Sequence, residues 1–312
     1  MTVSWRPLEL ATVPEWAELV NTLAKADDTG EFYDEADLAE ELGWAGFDPR
    51  RDSLAAWQDG RLVGFLNVTV SGNLDRAGQA SAQLDGGVHP DYRGRGIGRQ
   101  LMDTMEPRAA ELVRQRHPGA ATAVLRAGGG VAGASVRPLL ERRGYRQVRH
   151  FHHLERPLPG ELPEPPALPV RRFSPELTEQ VRLAHNEAFA EHWGSSPRTP
   201  ENWRELVESR SSRPELSFLS LAEDGTVDAY LLSWQWQPGE LHIGLVGTRP
   251  RARGRGLARA CLAAALRAGA EDGLTRANLG VDSENATGAG RLYASVGFQP
   301  KRVVAAYERP VS

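Results

Sequence analysis

Thr248-Arg249-Pro250-Arg251-Ala252-Arg253-Gly254-Arg255-Gly256-Leu257-Ala258 joins a short apolar run, Leu241 to Val246, to an Ala/Leu/Arg-rich run, Arg259 to Ala270. The first run predicts a strand and the second a helix, so the Gly/Arg segment turns one into the other. Such a turn leaves the first backbone N–H groups of the helix without intrahelical partners. Those donors and the positive end of the helix dipole make a seat for phosphate. Gly254 and Gly256 carry no side chain to hold a ligand off the main chain, and Arg253 and Arg255 add charge beside it.

The pattern occurs twice. Val88-His89-Pro90-Asp91-Tyr92-Arg93-Gly94-Arg95-Gly96-Ile97-Gly98 repeats it, again between a strand-like and a helix-like stretch, with Pro three residues before the Arg in both copies. A second repeat follows each. Tyr145 to Pro157 (YRQVRHFHHLERP) aligns without a gap on Phe298 to Pro310 (FQPKRVVAAYERP), a shift of 153 (298 − 145). Between the halves, Pro157 to Pro169 holds six prolines in thirteen residues, too many for a helix or a central strand. The expected organisation is a domain over 1–156, an extended linker over 157–169 and a second domain over 170–312.

The order of elements matches between the halves. Pro14 to Ala26 and Asp34 to Leu42 read as amphipathic helices, then a hairpin turns at Asp59-Gly60. A strand near Leu84 to Val88 enters the first Gly/Arg turn, and Ala121 to Leu125, a short helix over Ser135 to Arg142 and a last strand complete the half. The second half repeats this with helices over Pro175 to Phe189 and Pro200 to Ser209 and a hairpin turning at Asp224-Gly225. Strands at Leu241 to Val246, Ala277 to Val281 and Val303 to Tyr307 follow, with a short helix over Ala289 to Ser295. Each half is therefore expected to be an α/β unit, a mixed, mostly antiparallel sheet flanked by helices.

Bulk properties narrow the function. The 312 residues are 40% apolar with a net charge of −4, so no overall basic field favours nucleic acid. No signal pattern and no bilayer-length apolar run is evident, which leads to the expectation of a cytoplasmic protein with no membrane partner. Cys261 alone excludes an intramolecular disulfide framework. His150, His152 and His153 share no carboxylate or cysteine cluster at ligand spacing, so no metal is expected. A dinucleotide fold is disfavoured, because Arg interrupts the glycine pattern and hairpins rather than βαβ units surround it.

Asn285-Ala286-Thr287-Gly288-Ala289-Gly290-Arg291-Leu292-Tyr293, followed by Gly297-Phe298, supplies a second block. Together with Arg253 to Ala258 it resembles the GNAT superfamily of acetyl-CoA-dependent acetyltransferases. The resemblance implies that acetyl-CoA lies where two parallel strands splay apart. Backbone groups of Val246, Gly247 and Thr248 would hold the pantetheine arm. Amides of Arg253, Gly254, Arg255, Gly256, Leu257 and Ala258 would take the pyrophosphate. Asn285 would contact the cofactor, an N–H near Thr248 would serve the oxyanion, and Tyr293 would protonate the leaving thiolate. Glu240 and His242, on the strand entering the site, are the candidates for deprotonating the acceptor amine.

The first half departs from the pattern. At the same shift Tyr293 falls on Leu140 and Asn285 on Ala132, and a Gly128-Gly129-Gly130 stretch replaces the Asp282-to-Asn285 run. The phosphate-type residues Val88, Arg93, Gly94, Arg95, Gly96, Ile97 and Gly98 nonetheless remain. The first half is thus expected to retain a cofactor seat without the general acid. His185 and His192, spaced i, i+7 on one predicted helix, with Phe189 and Trp193, are candidates for the acceptor pocket. The expected acceptor is a small-molecule or peptide amine. Tandem chains with a degenerate first half also resemble enzymes that acetylate a cysteinyl pseudodisaccharide, although the spacing of eight between Asn285 and Tyr293 is one residue longer than in that group.

Overall fold

The computed structural model describes residues 2–158, 160–164, 167–285 and 288–311. Two compact units emerge: Met1–His150 with Val304–Ser312, and Phe151–Val303.

The elements follow the expected order. The first half runs β1 (Ser4–Arg6), α1 (Val13–Ala26), α2 (Glu35–Glu41), α3 (Pro49–Asp52), β2 (Ser53–Gln58), β3 (Arg61–Val70), β4 (Gln79–Val88), α4 (Ile97–Arg116), β5 (Thr122–Gly130), α5 (Arg137–Arg142) and β6 (Arg146–Pro157). The second runs β7 (Arg171–Arg172), α6 (Thr178–Ala188), α7 (Pro200–Glu208), β8 (Phe218–Leu221), β9 (Val227–Trp234), β10 (Glu240–Thr248), α8 (Leu257–Glu271), β11 (Arg276–Asp282), α9 (Ala289–Ser295) and β12 (Gln299–Pro310). In each unit one strand pair, β4–β5 or β10–β11, is parallel and the other assigned ladders are antiparallel. The mixed sheet flanked by helices is as the sequence implies.

The division of the chain differs from the expected one. Phe151 to Pro157 of β6 pair antiparallel with β11 in the second unit, and Ala305 to Pro310 of β12 pair antiparallel with β5 in the first. Each unit therefore closes its sheet with the repeat strand that the other half of the chain encodes. Both repeats are strands of one length with the same ERP ending, which is why the motif alone does not distinguish the arrangements. Side-chain size does. Tyr307 is 2% exposed in the first unit's core, and its ring lies 2.4 Å from where a Gly129 Cβ would stand. The glycine stretch that looks degenerate makes room for that ring. In the second unit the matching position is Leu154, opposite Leu279.

The arginines of the two ERP endings do equivalent work. Arg309 donates to the Arg143 carbonyl just past α5 (3.3 Å), and Arg156 donates to the Val296 carbonyl just past α9. Each satisfies an orphan carbonyl at a helix end. The Pro-rich stretch also packs rather than standing free: Leu158 is fully buried among second-unit residues, and Leu162 lies against the same core.

Candidate active site

β10 and β11 pair over only three rungs, Glu240–Arg276, Leu241–Ala277 and His242–Asn278. Beyond the last rung the ladder between β10 and β9 slips between Ile243 and Leu245, a bulge that bends one strand away from its neighbour. Gly244 and Gly280, just past the last rung, are both exposed, and a Cβ on Gly280 would meet nothing within 4 Å. From Leu245 to Thr248 β10 stays paired with β9 on one edge. Alternate backbone groups on its other edge face the opening. That edge holds Val246, Gly247 and Thr248.

The open edge leads to the glycine turn. Gly254 and Gly256 adopt left-handed φ values of 77° and 78°, where a side chain is strained. Gly256 caps α8, so the amides of Leu257, Ala258 and Arg259 start the helix without i−4 partners inside it. Nothing lies within 4 Å of a Gly254 Cβ, and Leu168 comes to 3.6 Å of a Gly256 Cβ. Arg253 and Arg255 are exposed, but both are steered by the protein. Arg253 donates to the Ala188 carbonyl (3.1 Å), while Arg255 approaches the buried Asp228 carboxylate (3.3 Å), which Arg251 also binds at 3.0 Å. Asp228 thus offsets part of the charge expected at this turn.

Tyr293, on α9, is 8% exposed and meets Phe298 edge-on at 6.1 Å. Among the described residues its hydroxyl has no hydrogen-bond partner. Burial pushes its pKa up to about 12. Its electrostatic effect reaches Tyr230, whose hydroxyl lies 2.5 Å from where a Gly247 Cβ would stand. Tyr293 shares its core cluster with Val246, the residue before Gly247. Asn285 lies at the end of the turn after β11, its N–H bonded to the Asp282 carbonyl at 3.1 Å. The extra residue in the spacing, Thr287, lies outside the described residues.

The acceptor candidates divide. α6 ends at Ala188, so His192 does not share a helical face with His185. His185 is 3% exposed, hydrogen-bonded through Nδ1 to the Tyr230 hydroxyl (2.7 Å) and stacked on Phe189 at 4.6 Å. Burial pushes its pKa down to about 3. It is a neutral core group that braces Tyr230 rather than one that faces an acceptor. Trp193 lies 6.3 Å from Phe151. Glu240 is 7% exposed and held by Arg276 and Asn278. It stands eight residues before Thr248, about 26 Å along an extended strand.

In the first unit, Gly94 and Gly96 take φ values of 75° and 87° and a Cβ on Gly94 would meet nothing, so the turn is formed there as well. Arg93, however, makes a two-armed ion pair with Asp27 (2.9 and 2.6 Å), and Arg95 donates to the Asp91 carbonyl (2.7 Å). Leu140 fills the place of the phenol, 1% exposed. Among the described residues no group of three potential metal ligands comes together, and no helix is long and apolar enough to cross a membrane. Cys261 is fully buried on α8 with its thiol pKa pushed up to about 12, an inert packing residue.

Asn278 is the residue at the site that sequence patterning missed. The signal was present: Arg276, Asn278, Gly280 and Asp282 make one face of β11 polar or bare, while Ala277, Leu279 and Val281 alternate with them.

Comparison with known proteins gives the same architecture. The Acetyltransferase (GNAT) family profile matches residues 16–145 and again 178–298. A mycothiol acetyltransferase of Salinispora arenicola is 34% identical over 257 residues, spanning 77% of this chain and 75% of the relative. The GCN5-related N-acetyltransferase from Sphaerobacter thermophilus superposes with a TM-score of 0.75 at 28% identity, covering 99% of this chain and 96% of its own. A tandem GNAT protein from the clavulanic acid biosynthesis pathway shares the fold, with a TM-score of 0.68 at 19% identity over 100% of this chain and 99% of that one. With one match in each half over most of the length, this chain belongs to the GNAT family of acetyltransferases and carries its domain twice.

Proposed function

We propose that the second unit transfers an acetyl group directly from acetyl-CoA to a primary amine. The observation that carries this is the open edge of β10 running straight into the bare glycine turn, with the buried Tyr293 in the core cluster that Val246 packs against. The pantetheine amides add to β10 as a strand adds to a sheet edge. The diphosphate sits on the amides of the turn from Arg253 to Ala258 and on the first turn of α8. A main-chain N–H near Thr248 stabilises the oxyanion. As the carbon–sulfur bond breaks, Tyr293 gives its proton to sulfur. The burial that raises the phenol pKa raises that of a thiolate in the same corner, so the two stay matched. No covalent enzyme intermediate is needed, and positioning supplies much of the rate.

The first unit keeps the turn but pairs Arg93 with Asp27 and lacks the phenol, so it binds the cofactor without transferring its acetyl group. The relatives favour a second, narrower reading of the acceptor. Proteins named mycothiol acetyltransferase match over about three quarters of both chains, which makes a cysteinyl pseudodisaccharide amine the first acceptor to try. A panel containing that amine, aminoglycosides, small amines and peptide N-termini, followed by acetyl-CoA-dependent thiol release, tests both readings. Steady release with at least one member is expected. Binding of acetyl-CoA without release across the panel would favour a non-catalytic sensor.

A further inference from the structure

Attack on a thioester needs the acceptor ammonium to lose a proton first, so a base must face the cleft. His242 and Asn278 form the last rung before β10 and β11 part. His242 is half-buried, with Trp236 edge-on at 4.7 Å, and its Cδ2 lies 3.4 Å from where a Gly244 Cβ would stand, at the mouth of the opening. Glu240 lies two residues deeper, closed off by Arg276 and Asn278. Building on acetyl transfer as proposed above, we propose that His242 Nε2 is the proton acceptor and Asn278 its positioning residue, held by Glu240 and holding His242 in one tautomer.

The chemistry of the partners fixes the tautomer. A carboxylate only accepts, so the Asn278 Nδ2 amide donates to Glu240. The Asn278 Oδ1 is then left to face His242 Nδ1 at 2.5 Å, and an amide oxygen can only accept. Nδ1 must carry the hydrogen, and the lone pair stands on Nε2, the ring atom bonded to the Cδ2 that lies near Gly244. This is how a third group commonly orients a histidine base.

Charge around the ring keeps it neutral yet able to take a proton. Burial lowers the His242 pKa, while the Asn278 contact and the Glu240 charge raise it. Arg276, on β11, partners Glu240. His153, on β6 opposite Gly280, is itself pushed down to about 4 by burial, with Arg302 and His242 adding to the shift. In the reaction, the ammonium N–H bond breaks and Nε2 gains the proton, which later passes to water. The amine lone pair forms the C–N bond. As the C–S bond breaks, sulfur takes the Tyr293 proton, and the remaining surplus nitrogen proton restores the phenol through solvent.

The tautomer can be read without any acceptor. Nitrogen-15 imidazole spectra of the full chain, with His242 assigned by His242→Gln, should show a neutral Nδ1–H tautomer at pH 7. Asn278→Leu should return His242 to the Nε2–H form that predominates in free imidazole. An Nε2–H form in the wild type overturns the proposal even if the leucine variant does not fold, and so does an unchanged spectrum in a folded Asn278→Leu. With the amine that turns over best, His242→Gln should lower kcat about 100-fold and remove the acid limb of the pH profile. Glu240→Gln should keep that limb and move its midpoint down, because the lost negative charge had favoured the imidazolium. A limb removed by Glu240→Gln and kept in His242→Gln would make Glu240 the base. Failure of every amine would sink acetyl transfer itself, while the spectra would still decide the tautomer.

Discussion

Replacing Tyr293 by Phe is expected to lower kcat by about 100-fold, within the range that a lost general acid costs, while acetyl-CoA binding stays the same. The separation follows from how the side chain is held. Its ring belongs to the second unit's core with Val296 and Phe298, and phenylalanine keeps that ring. The hydroxyl has no hydrogen-bond partner among the described residues, so its removal strands no buried donor or acceptor. What disappears is one acidic proton in the core cluster that Val246 packs against. With the phenol pKa pushed up to about 12, the proton stays in place across the neutral and mildly alkaline range. The wild-type kcat should therefore show no alkaline fall between about pH 7 and 10 that is absent from the variant, since a group titrates only near its pKa. Single-turnover kinetics beside a binding titration checks both halves. An unchanged kcat removes Tyr293 from the chemistry.

The second large effect concerns stability and appears far from the cut in sequence. Deleting Val304 to Ser312 should loosen the first unit and leave the second folded. The deletion takes Ala305 and Tyr307, 3% and 2% exposed, out of the core they share with Leu125, Ala127 and Leu140. It also removes Arg309, which binds Glu106 at 3.0 Å. Truncating one buried aromatic alone costs about 3–5 kcal/mol, a large share of the roughly 5–15 kcal/mol that holds a domain together. Hydrogen exchange separates the outcomes. Peptides over Thr122–Gly130 should lose protection and those over Arg276–Asp282 should keep it. The reverse pattern would mean that each half closes its own sheet.

The sequence spoke clearly wherever local chemistry decides structure. Both glycine turns, both hairpins and the helices from Val13 and Thr178 lie close to where their patterns place them, because turn residues and apolar periodicity act over a few positions. β4 begins at Gln79, ahead of the expected Leu84, because Gln79 to Gln83 alternates Ala with polar residues and carries little apolar signal. The strands β1 and β7, of three and two residues, are too short to show a period. The exchange of β6 and β12 was illegible for another reason. Two strands of one length with the same ERP ending compete for two alike slots, and the fit of Tyr307 over Gly129 distinguishes them. At the candidate site, the glycine turn follows β10 directly, and Tyr293 packs in the core cluster that Val246 also joins. His185 does not face an acceptor, since helical spacing says which residues share a face and not how deeply that face is buried. The polar face of β11 is visible in the sequence, but the pairing of Asn278 with His242 appears only once β10 lies beside β11.

A structure of the full chain with coenzyme A bound tests the central claim most directly. The diphosphate should rest on the amides of Gly254 to Ala258, the pantetheine should run along Val246 to Thr248, and the sulfur should stand within hydrogen-bonding reach of the Tyr293 hydroxyl. A diphosphate bound elsewhere in the second unit, or a sulfur out of reach of Tyr293, would contradict it.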